Sequence, residues 1–359
     1  MTRKLKVAVV GLGVGQTHIE RGYLTNPERF EVTAICDTDN DRLNAVGDAF
    51  GIERREHDYL EVLGMDDVDV IDVCTPPGTH KALMLAALQA GKHVICEKPL
   101  VGSLADIDEL LDAESRSSGH VMPIMQYRYN DGAQKAKHLI ETGIAGKPYV
   151  ATCEVHWLRD QTYYQRDWRR NWNGALGGAL MNHAIHANDL MFYLLGPVRS
   201  LFARIATRVN AGIEVEDCAS VSVELNCGAI ATTSATLGSV EPLSRMRLCF
   251  ENMIIETDSR PDFTAEDAPW RFIPKDAETA RRIEEALAEF APPPTGFAGQ
   301  MQHFHEAICA KTPLPLTLAD ARHSLDFATA AYWSAKTYSA VALPVMADHP
   351  FYNGWQNAF

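Results

Sequence analysis

The first 125 residues alternate short apolar runs with longer amphipathic stretches. Lys6–Val10, Val32–Cys36, His93–Cys96 and Val121–Met125 are largely apolar, as strands buried on both faces are, and Val68–Val73 is apolar apart from Asp69 and Asp72. The segments between them predict helices over Thr17–Leu24, from near Asp41, over Lys81–Ala90 and over Leu104–Arg116, with Gly91 closing the third as a C′ residue. Strands alternating with helices predict a parallel, doubly wound sheet. Beyond Gln126 the rhythm changes. A helix over Gly132–Thr142 leads to an alternating strand, Tyr149–Leu158. Further strands are predicted at Leu201–Thr207, Ala219–Leu225, Ala229–Thr236, Met246–Phe250 and Met253–Thr257. The turn Asn226-Cys227-Gly228 makes a hairpin of two of them. Helices follow over Ala277–Phe290, Gln300–Ala310 and Leu318–Ser339, and Pro292-Pro293-Pro294 is a local proline cluster. The expected fold is α/β: a doubly wound N-terminal domain over 1–125, then an α+β domain over 126–359 with a large open, mostly antiparallel sheet. Small and β-branched residues at Ser220–Val223 and Ala231–Ala235 suit one face of that sheet to self-association as a homodimer or homotetramer.

A length of 359 residues agrees with two domains. With 33 basic against 47 acidic residues and a net charge of −14, nucleic acid and acidic membranes are not expected partners. The eight cysteines are scattered without a Cys-x-x-Cys pair, which points to reduced thiols and a cytoplasmic protein, not to disulfides or zinc fingers. Glycines break the apolar run after Arg3–Lys6 too early for a signal peptide, and no segment reaches the roughly 18 unbroken apolar residues of a membrane span.

Chemistry gathers where the predicted strands end. His93–Cys96 stops at Glu97-Lys98-Pro99, an acid, an amine and a rigid turn at the sheet edge where ligands bind. Alone, this tripeptide is equally compatible with a surface ion pair. After the first strand, Gly11-Leu12-Gly13-Val14-Gly15 suits a pyrophosphate at a helix N-terminus. The third glycine of the usual fingerprint would fall at Gln16, so Gly15 is the candidate for that part in a turn one residue shorter. Asp37 follows the second strand at roughly the distance expected for a ribose 2′-hydroxyl ligand, the alternative being a helix cap. With Thr38-Asp39-Asn40 offering no adjacent cation for a 2′-phosphate, NAD is favoured over NADP. Thr75-Pro76-Pro77-Gly78-Thr79-His80 makes a rigid loop at the same edge.

In the second part, Arg159, Arg166, Arg169 and Arg170 are interleaved with Tyr163, Tyr164, Trp168 and Trp172, a mix suited to a sugar's apolar face and hydroxyl rim, or to an interface loop. Within Gly177–Asp189, helical spacing would put Asn182, His186 and Asp189 on one face. His183 and His186 with Asp189 could ligate a metal, but no His-Glu-x-x-His pattern supports it and no metal is expected. Core-packed histidines are the plainer alternative.

Gly11-Leu12-Gly13, Asp37, Thr75-Pro76-Pro77-x-x-His80, Ala90-Gly91-Lys92-His93 and Glu97-Lys98-Pro99, in this order and spacing, resemble the glucose–fructose oxidoreductase/inositol dehydrogenase family, and the likeness extends to the C-terminal His349–Trp355. The resemblance implies a substrate site beside NAD, with Thr75–His80 along the nicotinamide ribose, Glu97 and Lys98 towards the nicotinamide, and Lys98 on the substrate. It allows a cis Lys98–Pro99 bond. It implies that Trp168-Arg169 is the family's pair near the nicotinamide. The pattern Gly-Gly-x-Leu-x-Asp/Asn-x-x-x-His falls on Gly177–His186, which implies that His186 moves the proton, with Asn182 beside it and His183 as a further candidate. Many members have Asp where this chain has Asn182, and an amide cannot join a His–Asp relay. Arg128, in the crossing segment Gln126–Asn130, faces the substrate or pairs structurally. The implied activity is NAD-dependent hydride transfer between nicotinamide and a secondary hydroxyl or ketone of a sugar, glycoside or cyclitol. An NAD-dependent glycosidase working through transient oxidation is one alternative. A non-catalytic cofactor sensor is another, disfavoured because both Lys98 and His186 are present.

Overall fold

The computed structural model describes residues 3–259, 269–292 and 294–359, so that Pro293 of the proline cluster lies outside the described residues. The chain divides into two compact units: the residues up to Met125 with Gly296–Arg322, and Gln126–Thr295 with His323–Phe359.

In the first unit β1 (Leu5–Val10), α1 (Leu12–His18), β2 (Phe30–Cys36), α2 (Asn40–Phe50), β3 (Arg54–Glu56), α3 (Tyr59–Leu63), β4 (Val70–Val73), α4 (His80–Gln89), β5 (His93–Cys96), α5 (Leu104–Ser115) and β6 (Val121–Pro123) follow in turn. The strands pair in the order β3-β2-β1-β4-β5-β6, all in parallel. Val7, Ala8, Val9, Ile71, Val94 and Ile95 have no exposed surface, which is why these strands read as unbroken apolar runs. Strand order reverses between β1 and β4, and at such a switch point the carboxyl ends of the strands open a ligand crevice. Gly11, Asp37, Cys74–Thr75 and Glu97 all follow directly on those ends.

The helix expected over Thr17–Leu24 begins earlier. Gly11 has φ +91°, and the helix starts at once at Leu12, then widens into a π-turn over Ile19–Tyr23. Gly13, Val14 and Gly15 therefore lie in the first helical turns, not in a loop. β3 is three polar residues and α3 only five residues long, too short for either to carry a periodic pattern readable from sequence. The helix Gly296–Ala310 packs in this unit: Phe297 meets the His18 ring at 4.8 Å, and Gln300 accepts from the Met125 N–H and donates to the Pro123 carbonyl.

The second unit contains α6 (Asp131–Glu141), β7 (Pro148–Leu158), α7 (Trp172–Ala175), α8 (Ile185–Leu195), β8 (Val198–Ala206), β9 (Cys218–Leu225), β10 (Ile230–Thr236), β11 (Gly238–Phe250), β12 (Met253–Ser259), β13 (Trp270–Pro274), α9 (Ala277–Ala288) and β14 (Val341–Ala342). Its sheet runs β13-β12-β11-β7-β10-β9-β8-β14, antiparallel except for the parallel pair β7–β10. Ala151, Cys153, Val155, Val221, Val223, Ala231 and Ala235 form its buried face. Thr233 donates to Asn188 of α8 at 2.6 Å, and Ser334 of the helix Leu318–Thr337 accepts the Ala203 N–H, so helices cover that face. Alternate residues on the other face are exposed, among them Val150, Phe202, Ser220, Ser222 and Ile230. No helix of the described residues is long and apolar enough to cross a membrane.

Candidate active site

In the first unit, the turn after β1 requires glycine. A Cβ on Gly11 would lie 2.7 Å from the backbone of Cys74 and Thr75, on top of its left-handed φ. A Cβ on Gly15 would lie 2.7 Å from the Val9 side chain, so Gly15 sets the close approach of helix to strand and fills the third-glycine part. Gly13 and Val14 are exposed on the first turn of α1.

Asp37, at the end of β2, is buried and heavily engaged. Its carboxylate accepts the Leu12 N–H at 2.8 Å and the Asp39 N–H at 2.9 Å, and both oxygens accept from Nη1 of Arg42 at 3.0 and 3.2 Å. The sequence reading of no cation beside this acid is thereby corrected. Arg42 lies five residues on, in the first turn of α2, and the fold brings it back onto Asp37 and Asp39. Thr38 lies between those two acids.

His80 is fully buried, with its ring nitrogens 2.9 Å from the Pro99 carbonyl and 2.8 Å from the Thr75 carbonyl. It ties the loop Thr75-Pro76-Pro77 to the Lys98–Pro99 turn. The Lys98–Pro99 peptide bond is cis. Lys98 is half-buried, and its N–H donates to Glu97 Oε2 at 3.0 Å. Glu97 itself turns inward, with Oε1 3.0 Å from His18 Nε2.

His18 is the residue that sequence reasoning missed. Its ring has no exposed surface and is held between two carboxylates, Asp72 at 2.9 Å on Nδ1 and Glu97 on Nε2. Tyr23 donates to the same Asp72 oxygen at 2.8 Å, and the Cys74 thiol lies 3.3 Å from Nδ1. Burial alone would lower the imidazole's pKa, but the adjacent charges, Asp72 foremost, carry it well above its ordinary value. The raised pKa favours the protonated imidazole in this cluster. A helix start placed at Leu12 would have aimed His18 at the strand ends from sequence alone.

In the second unit the single helix expected from the glycine pair is broken. Ala179–His183 forms a π-turn, and α8 starts afresh at Ile185. A π-turn inside a helical segment is frequent at functional sites. Tyr163, Trp168, Arg169, Gly178, Asn182 and His183 line one small cavity. Asn182 donates its amide to the carbonyls of Ala175 and Gly177 at 2.9 and 2.6 Å, holding the loop before the π-turn. His183 and His186 are both buried, the first packed on Trp157 and Tyr163, the second on Tyr127 at 4.7 Å. Asp189 pairs with Arg128 through Nε and Nη2 at 2.7 and 2.8 Å, which favours the structural of the two roles open to Arg128. Among the described residues His183, His186 and Asp189 do not form a cluster able to hold a metal.

Glu216 supports this segment from below. Its carboxylate accepts the N–H groups of Gly178 and Leu180, both at 2.9 Å, and the Tyr332 hydroxyl at 3.0 Å. Position 178 must be glycine, because a Cβ there would sit 1.7 Å from the Glu216 carbonyl. Burial pushes the Glu216 carboxyl up to about 7 from 4.5, the hydrogen bonds opposing. Its raised folded pKa makes its stabilising contribution complete below about 4.5 and lost as pH rises through 7, about 3 kcal/mol in all. The expected result is that Glu216→Gln removes this decline. Denaturant unfolding at pH 5 and pH 8 checks it, and equal pH slopes in the two proteins would contradict the assignment.

Comparison with known proteins agrees with this architecture. The sequence description "Oxidoreductase family, NAD-binding Rossmann fold" matches residues 5–124, and the GFO/IDH/MocA C-terminal domain matches residues 133–256. The chain belongs to the GFO/IDH/MocA oxidoreductase family. It is 27% identical to a D-apiose dehydrogenase of Paraburkholderia graminis over 301 residues, 82% of this chain and 75% of that protein. It is 31% identical to the myo-inositol 2-dehydrogenase of Thermotoga maritima over 201 residues, 55% of this chain and 58% of that one. The crystal structure of the WlbA dehydrogenase of Bordetella pertussis, in complex with NADH and UDP-GlcNAcA, superposes with a TM-score of 0.84 at 26% identity, covering 96% of this chain and all of that one. This GFO/IDH/MocA member thus joins an NAD-binding parallel sheet to the family's second, mostly antiparallel sheet.

Proposed function

We propose that this GFO/IDH/MocA protein transfers a hydride between NAD and a secondary hydroxyl or ketone of a sugar, glycoside or cyclitol. The observation that carries the reading is Lys98, an amine just past the carboxyl end of the parallel strand β5, with its N–H held by the buried acid Glu97. The first unit fits a dinucleotide. The Gly11 turn leaves a cradle that a Cβ would fill, and the exposed backbone of Gly13 and Val14 opens the first turn of α1 to a pyrophosphate. Bound NAD supplies the hydride acceptor. Lys98 holds the reacting hydroxyl oxygen and stabilises its developing negative charge. His186 takes the hydroxyl proton, a task that suits an imidazole near neutral pH. Trp168 and Arg169 flank the nicotinamide, Thr75–Pro77 the adjoining ribose, and Asn182 and His183 the sugar.

Asp37 receives the adenosine ribose hydroxyls in place of Arg42. Asp37→Ala is therefore expected to raise the NAD dissociation constant roughly tenfold, the loss of a charge-assisted hydrogen bond. Titration of the reduced cofactor's fluorescence checks it, and unchanged affinity would break the ribose assignment. The exposed sheet face bearing Val150, Phe202 and Ile230 between small residues is where copies of the chain associate as dimers or tetramers. Assay of sugars and cyclitols with NAD, read at the reduced-nicotinamide absorbance, tests the function. Release of free sugar without net cofactor reduction would select the glycosidase reading instead.

A further inference from the structure

The segment Arg159–Arg170 carries four arginines in a chain of net charge −14. Among the described residues none of the four is ion-paired with a carboxylate, although acids stand close by. Asp160 spends its carboxylate on the N–H groups of Thr162 and Tyr163, and Glu214 accepts the Trp172 N–H. The guanidinium groups bond only to carbonyls: Arg159 to Leu158 at 2.9 Å, Arg169 to Tyr163 at 3.0 Å, and Arg170 to Gly212 at 2.9 Å. Two of them converge on one ring. The guanidinium carbon of Arg169 lies 4.1 Å from the Tyr163 centroid, and that of Arg159 lies 5.4 Å from it and 5.0 Å from Trp157. Tyr163 and Trp157 are the two rings packed on His183, at 5.4 and 5.7 Å. Arg169 also lines the cavity with Asn182 and His183, and its buried Nε has no hydrogen-bond partner.

Like charges gathered without counter-ions cost free energy unless an anion completes them. Burial lowers the Arg169 pKa, and the neighbouring charges of Arg166 and Arg159 lower it further, which reports the same crowding. Arginine on an aromatic platform presents its fork to a carboxylate or phosphate while its flat face stays stacked.

From this arrangement we propose that Arg159, beside the Trp168-Arg169 pair, forms an anion subsite for the substrate, so that the sugar oxidised carries a carboxylate or a phosphate. This rests on the dehydrogenase reading and narrows it. The ring of the sugar lies by Asn182 and His183, and its anionic substituent meets Arg159.

The test uses the full chain with NAD and sugars paired by charge: D-glucose with D-glucuronate, D-galactose with D-galacturonate, and D-glucose with glucose 6-phosphate. In at least one pair the anionic member is expected to have kcat/KM roughly 10–100-fold above its neutral partner, the range of a charge-assisted bidentate contact. Arg159→Met, which keeps a stem over Trp157, should bring that ratio close to one while the dissociation constant for NADH stays unchanged. Higher salt should weaken the anion's advantage. Equal or better turnover of the neutral member in every pair overturns the subsite and leaves the dehydrogenase reading standing. If no member is turned over, binding to the NADH-loaded protein, followed by quenching of tryptophan fluorescence, decides: tighter binding of an anionic member that Arg159→Met abolishes supports the subsite even as the dehydrogenase reading fails, and no anion preference overturns it. A raised NADH dissociation constant in Arg159→Met, without loss of discrimination, would assign the arginine to the cofactor and overturn the proposal.

Discussion

Replacing Lys98 by alanine is expected to lower turnover about 10²–10⁴-fold and to leave NAD binding intact. Strand β5 ends at Cys96, two residues before Lys98. Glu97 is turned away into the interior, where His18 and the Lys98 N–H hold its two oxygens. The turn is thus anchored by the acid and presents the amine, so truncating the amine removes function from a scaffold that keeps its shape. The dinucleotide contacts proposed for Gly11–Gly15 and Asp37 lie on other strand ends and do not need Lys98. His186→Ala should show a loss of the same order, and raising the pH should partly restore it, because hydroxide can take the proton the imidazole no longer takes. Initial rates together with cofactor titration separate the effects. Full turnover in either variant would remove that residue from the chemistry.

His18→Leu is expected to destabilise the first unit by about 3–5 kcal/mol, the usual consequence of removing one member of a buried ion cluster. The leucine fills most of the volume, so the loss is electrostatic. Asp72 and Glu97 would face each other without the cation between them, and Tyr23 can donate only to Asp72. The pH dependence gives a second check. The folded pKa of His18 is raised, so its stabilising contribution is fully present below the unfolded value of about 6.5. That contribution is lost as pH rises through the higher folded value. Wild-type stability should therefore fall on the alkaline side, and the leucine variant should lack this fall. Denaturant midpoints with unchanged slopes measure both effects. A loss below about 1 kcal/mol, or the same alkaline decline in both proteins, would mean that the cluster is not held as an ion between ions.

Much of the fold was legible because burial on both faces leaves its mark on the inner strands of the parallel sheet, though not on the polar edge strand β3. Val7–Val10, Ile71 and Val94–Cys96 could hardly be read otherwise. The glycine turn was legible in composition but not in geometry. Only Gly11 needs the left-handed conformation, and a helix that starts one residue later puts Gly15 and His18 against the strands. The misplaced start hid His18. Arg42 escaped notice because its pairing with Asp37 arises from the turn into α2, not from adjacency in the chain. His80 and Glu97 stood at the expected strand ends, yet their side chains point inward, and sequence position does not give direction. The π-turn over Ala179–His183 has no periodic signature, so Asn182 and His186 were placed on one regular helix that the structure divides. Glu216, one of three acids close together before a strand, carried nothing to set it apart from Glu214 and Asp217. Its role comes from two N–H groups that the glycine pair exposes to it.

Under the proposed function, this GFO/IDH/MocA protein oxidises a carbinol by hydride transfer to nicotinamide. The most direct measurement follows deuterium from a sugar labelled at the oxidised carbon into the reduced cofactor. The account predicts one deuterium on the nicotinamide ring per ketone formed, with both lost in Lys98→Ala. Ketone formation without label on the cofactor, or no cofactor reduction with any neutral or anionic sugar or cyclitol, would contradict it.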